Sequence, residues 1–386
     1  MSARAARAVR PVVGPASIGV DAAPGARIGT ARPEPVSPFG AGQVVGRDLG
    51  PFELGSGARL ASLRVAYRHD GPGPADAPQV LVIHALTGSA DAAGDWWSPL
   101  IGPGLALDTE RVGVLSANLL GGCYGTTGPT NPDPATGVPY GAAFPAISTR
   151  DQARAHWALL DALDVPGLAL VLGGSLGGMV ALEVALERPE AVRSVMPIAA
   201  PATTGALAVA WNAIQLALVE RLGEDGLALA RELAMTTYRS EADFDQRFGR
   251  AAEADGTPSI VSYLRYQGQK LVRRFDPDTY RTLVGAMDRH DIGAGRGGVG
   301  PALARLADHG VRLTGLGISG DILFGPQQVR TLVDAAAAEG GHARYVEVQS
   351  TKGHDAFLAE WDALAAILRR VLDEALAPRP VLSPRD

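Results

Sequence analysis

The chain has a single cysteine, Cys123, in 386 residues. No internal disulfide can form, and nothing in the cysteine usage points to an oxidising compartment. It lacks any apolar run of the roughly 18 residues that a membrane span needs, so no membrane partner is expected. It is not basic: 35 Lys and Arg stand against 41 Asp and Glu, a net charge of −6, which argues against a nucleic-acid-binding surface. No set of Cys, His and Asp has metal-ligand spacing, and no glycine run is followed by the Lys-Ser/Thr of a phosphate-binding loop. No metal and no bound cofactor is expected, and the cytoplasm is the default location. Aromatic residues make up only 5% of the chain. What is present, 46% hydrophobic and 20% charged residues, is ordinary for a globular protein of one large or two medium domains.

Residues 1–42 are rich in Ala, Arg, Pro, Gly and Val without periodicity. They lack the apolar segment of a secretion signal and read as a disordered or loosely attached tail. Short apolar runs at Val65–Tyr67, Gln79–Ile83, Val112–Ser116, Leu168–Leu172 and Ser194–Ala199 read as strands. Between them, Arg150–Leu163 and a segment opening at Met179 and running to Leu186 have helical spacing. That alternation implies a mostly parallel central sheet with helices on both faces, an α/β fold. From 201 to 298 strand signals vanish. Helical stretches follow one another at Ala206–Arg221, Gly226–Met235, Glu241–Ala252, Pro258–Lys270 and Pro277–Met287, and read as an inserted helical lid. Alternation resumes with a helix at Ala302–Ala307, a strand at Arg312–Ser319, a helix at Pro326–Glu339, a strand at Arg344–Val348 and a closing helix at Phe357–Leu376. The expected organisation is a core of 43–200 and 299–378, a lid of 201–298, and a Pro-rich tail of 379–386.

The densest signal is Gly173-Gly174-Ser175-Leu176-Gly177-Gly178, placed between an apolar strand and a helix. A strand, then G-x-S-x-G, then a helix is the layout of a nucleophile elbow. Glycine suits the flanking positions because the turn leaves no room for a Cβ. A serine so presented lies at a helix N-terminus, where free N–H groups favour developing negative charge. A serine hydroxyl still needs a base, and the base an orienting acid. Asp321 follows the strand Arg312–Ser319, and His354 follows Arg344–Val348, so the chain order is Ser, Asp, His. Taken alone, Asp321 reads equally well as a turn or capping aspartate, and His354 as a surface-loop histidine. Of the other histidines, His69, His156, His309 and His342 are assigned to loops or helices without a matching context, and His290 to the helical insertion. His84-Ala85-Leu86-Thr87-Gly88 follows the strand Gln79–Ile83. Its Leu86 amide, with that of Leu176, is the expected oxyanion hole, and His84 is expected to brace the loop. Cys123, in a Gly-rich loop, is expected to be a small buried residue rather than a nucleophile.

Several longer stretches carry a family resemblance. They are His84–Gly88, Ile101–Gly104, Asn118–Gly125 (Asn-Leu-Leu-Gly-Gly-Cys-Tyr-Gly), Thr127–Pro129, Gly173–Met179, Ser262–Gly268 and Gly353–Phe357. Together, over about residues 50 to 375, they resemble the homoserine O-acyltransferases of the α/β-hydrolase superfamily, particularly those that use acetyl groups. The resemblance implies ping-pong transfer from acetyl-CoA, a co-substrate, to L-homoserine through an acyl-Ser175 intermediate, a step of methionine biosynthesis. It implies Arg231 and Tyr238 in the lid and Asp355 beside His354 as substrate-binding residues, and a homodimer formed through the lid helices. An Arg at 231 can pair with an α-carboxylate in bidentate fashion, and residues 231 and 238 share one helical face. Departures from the family pattern at Leu176, Ser89 and Leu216, with a short connection between Ala217 and Gly226, leave open a different acceptor such as serine or a larger hydroxyl substrate, and a succinyl donor is a separate alternative. Water as acceptor would make the same triad an esterase.

Overall fold

The computed structural model describes residues 42–377. The tail assigned to 1–42 lies outside them except for its last residue, as does the C-terminal tail of 379–386. The main sheet has eight strands: β1 (Val45–Asp48), β2 (Arg64–Asp70), β3 (Gln79–Ile83), β4 (Gly113–Ala117), β5 (Leu170–Gly174), β6 (Ser194–Ile198), β7 (Arg312–Ile318) and β8 (Ala343–Val348). Their spatial order is β1-β2-β4-β3-β5-β6-β7-β8. β1 and β2 pair antiparallel, as do β2 and β4, and every other neighbouring pair is parallel. β3, β4, β5 and β6 are buried along their whole length. That is the mark of parallel strands covered on both faces, and it is why they appear in sequence as unbroken apolar runs.

The two coverings are distinct. Val80, Val82, Leu170 and Leu172 face one apolar cluster, with Trp97, Leu100 and helix α10 (Trp361–Leu376). Leu81, Ile83 and Val171 face the other. This second layer holds α1 (Thr149–Ala162), α2 (Leu176–Glu187), α8 (Val299–Asp308) and α9 (Pro326–Ala338). Helix α1 opens on a reciprocal capping box in which Ser148 accepts from the Asp151 amide and Asp151 from that of Ser148. Between β6 and α8 come α3 (Ala206–Leu222), α4 (Glu224–Tyr238), α5 (Glu241–Arg247), α6 (Ser259–Val272) and α7 (Pro277–Asp288).

The structure departs from the sequence expectations in identifiable places. Edge strand β1 carries no alternating pattern, because three of its four residues are exposed. Helix α2 starts at Leu176 rather than Met179, with Gly177 and Gly178 inside its first turn. Helix α5 stops at Arg247 instead of Ala252, since Gly249 takes a φ of +50°. His69 lies in β2 rather than in a loop or helix. The closing helix does not begin at Phe357. Residues Gly353–Leu358 form a 3-10 turn, and α10 starts at Trp361. The Phe357 carbonyl, which a continuous helix would use four residues on, accepts instead from the Trp97 indole N–H at 2.9 Å.

The sheet sets the tightest packing at the start of α2. A Cβ on Gly177 would lie 2.2 Å from the Ile83 carbonyl oxygen, and one on Gly173 would lie 2.6 Å from the same atom. Both contacts are backbone, so neither can give way cheaply. Gly177→Ala is expected to lower stability by at least about 2 kcal/mol, visible as a reduced urea midpoint at unchanged slope. A midpoint equal to wild type would contradict the close approach of β3 and α2.

Candidate functional site

Ser175 sits where β5 meets α2, with φ 56° and ψ −126°. A non-glycine residue in that region carries about 1–3 kcal/mol of strain, held in place by its surroundings. Its amide donates to the Ile198 carbonyl of β6 at 2.9 Å, which ties the turn to the neighbouring strand. Its own carbonyl accepts from Gly178 and Met179, so the helix begins at once. Among the described residues, the amides of Leu176 and Leu86 donate to no other protein group. Both residues are buried. Unspent N–H groups, one of them on the residue that follows a strained serine, are the kind of donor an oxyanion site uses.

His84 ties the loop after β3 to the segment after β4. Its Nδ1 bonds the Ala85 carbonyl at 2.7 Å, and its Nε2 accepts from the Leu119 amide at 3.1 Å. Full burial lowers its pKa to about 4, against the weaker effect of the Ala85 bond, so it stays neutral and one nitrogen remains an acceptor. The bracing role expected for His84 is the one observed.

Asp321 and His354 meet at 2.6 Å, Oδ2 to Nδ1, both buried. The second carboxylate oxygen of Asp321 accepts from the Leu323 and Phe324 amides at 2.8 and 3.0 Å. One side chain thus both caps its own turn and bonds the His354 ring. His354 is packed by the rings of Phe324, Phe357 and Tyr238, with centroids 5.6, 5.6 and 5.8 Å away. Phe357 also closes on Gly174, where a Cβ would lie 2.4 Å from its ring, and so brings the histidine turn against the serine strand. Burial by itself pulls the His354 pKa down. The Asp321 carboxylate, by charge and by hydrogen bond, and the Asp355 carboxylate beside it outweigh burial, and the net shift is upward. Its Nε2 is buried without a hydrogen-bond partner, so the bond to Ser175 expected from the chain order is not formed in this structure. Bonds of this kind often tighten only when substrate is bound.

The histidine turn is fixed to the helical insertion. Gly353, at φ +66°, lies against the backbone of Tyr238 to Ser240. The Ser240 hydroxyl donates to the Thr351 carbonyl. In α4 the Arg231 guanidinium lies over the Tyr238 ring at 5.1 Å, so the two residues do share a face. Burial, first, and the Asp355 charge raise the Tyr238 pKa, with Arg231 opposing. Asp355 is an ion-pair partner of Arg239, Nε to Oδ2 3.3 Å, at 16% side-chain exposure for the carboxylate. Arg239 also reaches Asp243 at 3.7 Å. Sequence reasoning missed Arg239. It follows Tyr238 directly, and no spacing rule marks it as a neighbour of Asp355.

Rival groups fall away on chemistry. Burial pushes the Cys123 thiol up to about 11, which leaves it protonated near neutrality. His290 bonds Thr149 Oγ1 and the Pro201 carbonyl, and burial lowers it to about 4. His156 is buried, with both ring nitrogens unpartnered, and is lowered to about 3 by burial. Among the described residues there is no group of His, Cys, Asp and Glu that could hold a metal ion, and no helix long and apolar enough to cross a membrane.

Comparison with known proteins agrees with this geometry. A model of the α/β-hydrolase fold family matches residues 78–278. The homoserine O-acetyltransferase of Moorella thermoacetica is 42% identical over 353 residues, which is 84% of this chain and 94% of that protein. The solved homoserine O-acetyltransferase from Staphylococcus aureus superposes with a TM-score of 0.74 at 29% identity, over 87% of this chain and 97% of the other. An acetylester hydrolase from Corynebacterium glutamicum shares the fold, with a TM-score of 0.74 at 19% identity over 86% and 96% of the two chains.

Proposed function

The chain belongs to the α/β-hydrolase fold family and, within it, to the homoserine O-acetyltransferases, and from that premise we propose that it transfers acetyl from acetyl-CoA to the hydroxyl of L-homoserine. The observation that carries the reading is a pair of opposite charges around His354, Arg231 beyond the Tyr238 ring and Asp355 at the histidine itself. That arrangement suits a zwitterion whose hydroxyl must reach the base.

In the proposed cycle, Ser175 Oγ attacks the thioester carbonyl as its proton passes to His354 Nε2. Asp321 holds the imidazole, and the Leu86 and Leu176 amides stabilise the oxyanion. The tetrahedral intermediate collapses, the C–S bond breaks, and His354 returns the proton to the departing CoA sulfur. Homoserine then gives its hydroxyl proton to His354 and attacks acetyl-Ser175. Collapse releases O-acetylhomoserine and restores the Ser175 proton. Arg231 binds the α-carboxylate, with Tyr238 beside it. Asp355 binds the ammonium, which must take the carboxylate over from Arg239. Sequestration among Phe324, Phe357 and Tyr238 keeps water from the acyl-enzyme, which separates a transferase from an esterase. Residues 201–298 act as the lid. The reaction uses free acetyl-CoA, and we place it in the cytoplasm.

The proposed assembly is a homodimer formed through the lid helices. Its support is the exposure of Leu207, Ile214 and Leu222 on α3, Leu229 on α4 and Tyr266 on α6. Light scattering is expected to give twice the chain mass of 39.9 kDa. A monomer mass would remove the dimer and leave the chemistry standing.

Two further outcomes test the chemistry. Mixing with acetyl-CoA alone is expected to add one acetyl group to the peptide containing Ser175, with further CoA release only when homoserine is added. Ser175→Ala is expected to abolish both. Steady CoA release without an amino acid would identify a hydrolase, and faster turnover with succinyl-CoA or serine would replace the donor or acceptor. For pH, His354 must be neutral to act as base, and its pKa is raised. Activity is therefore expected to fall as pH drops through a value above the ordinary 6.5. Asp355→Asn removes one of the raising charges, so the acid limb of kcat/KM is expected to move to lower pH. The homoserine KM is expected to rise about tenfold or more, the scale of one lost charge-assisted hydrogen bond. An unmoved limb together with an unchanged homoserine KM would deny Asp355 both roles.

A further inference from the structure

The loop that offers the Leu86 amide is held from several sides. Ala85 O accepts from His84 Nδ1 and from the Gly88 amide, at 2.7 and 2.9 Å. Ser89 O accepts from Trp96 Nε1 at 2.9 Å, and the Ala90 amide donates to Asn118 Oδ1 at 2.5 Å. All these partners lie in the β3–β4 part of the core. The hold on Thr87 is different. Its carbonyl accepts from Arg274 Nη1 at 2.7 Å, and Arg274 belongs to the connection between α6 and α7, in the helical insertion. The same Nη1 donates to Tyr124 Oη at 2.7 Å, while Tyr124 Oη donates to the Arg274 carbonyl at 2.9 Å. Asn118, which holds Ala90, also donates to the Tyr124 carbonyl. A single guanidinium thus joins the oxyanion loop, the Gly-Gly-Cys-Tyr-Gly loop and the lid.

We propose that Arg274 is a positioning residue for acyl transfer: by holding the Thr87 carbonyl it fixes the backbone next to Leu86 so that the Leu86 N–H faces the developing oxyanion, and it makes that alignment depend on a docked lid. An amide donor in an oxyanion hole is effective only if it is already aimed when charge develops. Leu86 has no side-chain hydrogen bond to aim it, and its carbonyl neighbour on the lid side is anchored by Arg274. The planar fork of arginine can serve two acceptors in fixed directions, which a lysine ammonium on a flexible stem does less well. The proposal rests on the acyl-Ser175 reading above.

The test uses p-nitrophenyl acetate, which acylates the serine without CoA or homoserine, and follows the burst of nitrophenolate. Arg274→Met is expected to slow the burst, and kcat for acetyl transfer, by about tenfold to hundredfold, the scale of a misplaced catalytic group. Arg274→Lys is expected to recover part of the rate. Both KM values are expected to change by less than about threefold and Tm by less than about 4 °C, since no substrate contact and no core packing is removed. A burst as fast as wild type would overturn the proposal, and so would a loss that appears in both KM values or that tracks a fall in Tm. Should Arg274→Met fail to fold, Tyr124→Phe, which removes one acceptor of the guanidinium, is expected to slow the burst in the same pattern. An unchanged burst in that variant overturns the proposal equally. If wild-type protein gives no burst and no acetyl adduct at Ser175, the acyl-enzyme reading itself fails, and this proposal with it.

Discussion

Everything in the site is placed relative to a contact between two backbones. The first turn of α2 lies so close to β3 that Gly177 has no room for a Cβ beside the Ile83 carbonyl, and Gly173 is confined by the same oxygen. Gly178 faces the Ala200 methyl at a Cβ distance of 2.7 Å. Strand and helix so compressed leave Ser175 a left-handed φ. That strain is small beside the burial of Leu170, Val171 and Leu172 before it and of Met179, Val180 and Leu182 after it. The serine is strained because its neighbours pack well, and the strain puts its hydroxyl at the head of a helix.

Around that point the same side chain is tuned in opposite directions. His84, His156, His290 and His354 are all buried. The first three are lowered mainly by desolvation: no carboxylate charge acts on His84 or His156, and that of Asp291 beside His290 is too weak to offset burial. His354 alone among them has Asp321 on its Nδ1 and Asp355 beside it, and its pKa rises despite burial. Burial and a carboxylate partner together yield a ring that can take a proton in a dry site. Burial alone yields a rigid neutral brace, the part His84 plays between two loops.

The helical insertion supplies what the α/β core lacks. The core presents Ser175, the Asp321–His354 pair and the amides of Leu86 and Leu176. The insertion brings Arg231, Tyr238 and Arg239 to the histidine turn, through the close packing of Gly353 on the end of α4. The Arg239–Asp355 pair keeps the carboxylate compensated, since a half-buried charge without a partner is costly. The inserted segment thus sets the charges around His354, on a fold shared with ester hydrolases.

Much of the fold was legible in the sequence because its cause is local. The unbroken apolar runs of β3, β5 and β6 follow from burial on both faces, and the glycines at 173, 177 and 178 record the lack of space for a Cβ. The order of Ser175, Asp321 and His354, each just after a strand, placed all three on one edge of a parallel sheet. Other features have causes that lie far along the chain. β1 is a strand only because β2 offers it a partner, and its exposed residues carry no pattern. The closing helix breaks because an indole 260 residues away takes the Phe357 carbonyl. Arg239 finds Asp355, and Arg274 finds Thr87, across the junction of insertion and core. Periodicity and motif spacing report the forces a residue feels from its own segment, so the sequence by itself determined most of the sheet, the elbow and the chain order of Ser175, Asp321 and His354. Which charges flank His354, and what holds the loop that follows β3, is set by side chains reaching between segments, and that only the tertiary structure decided.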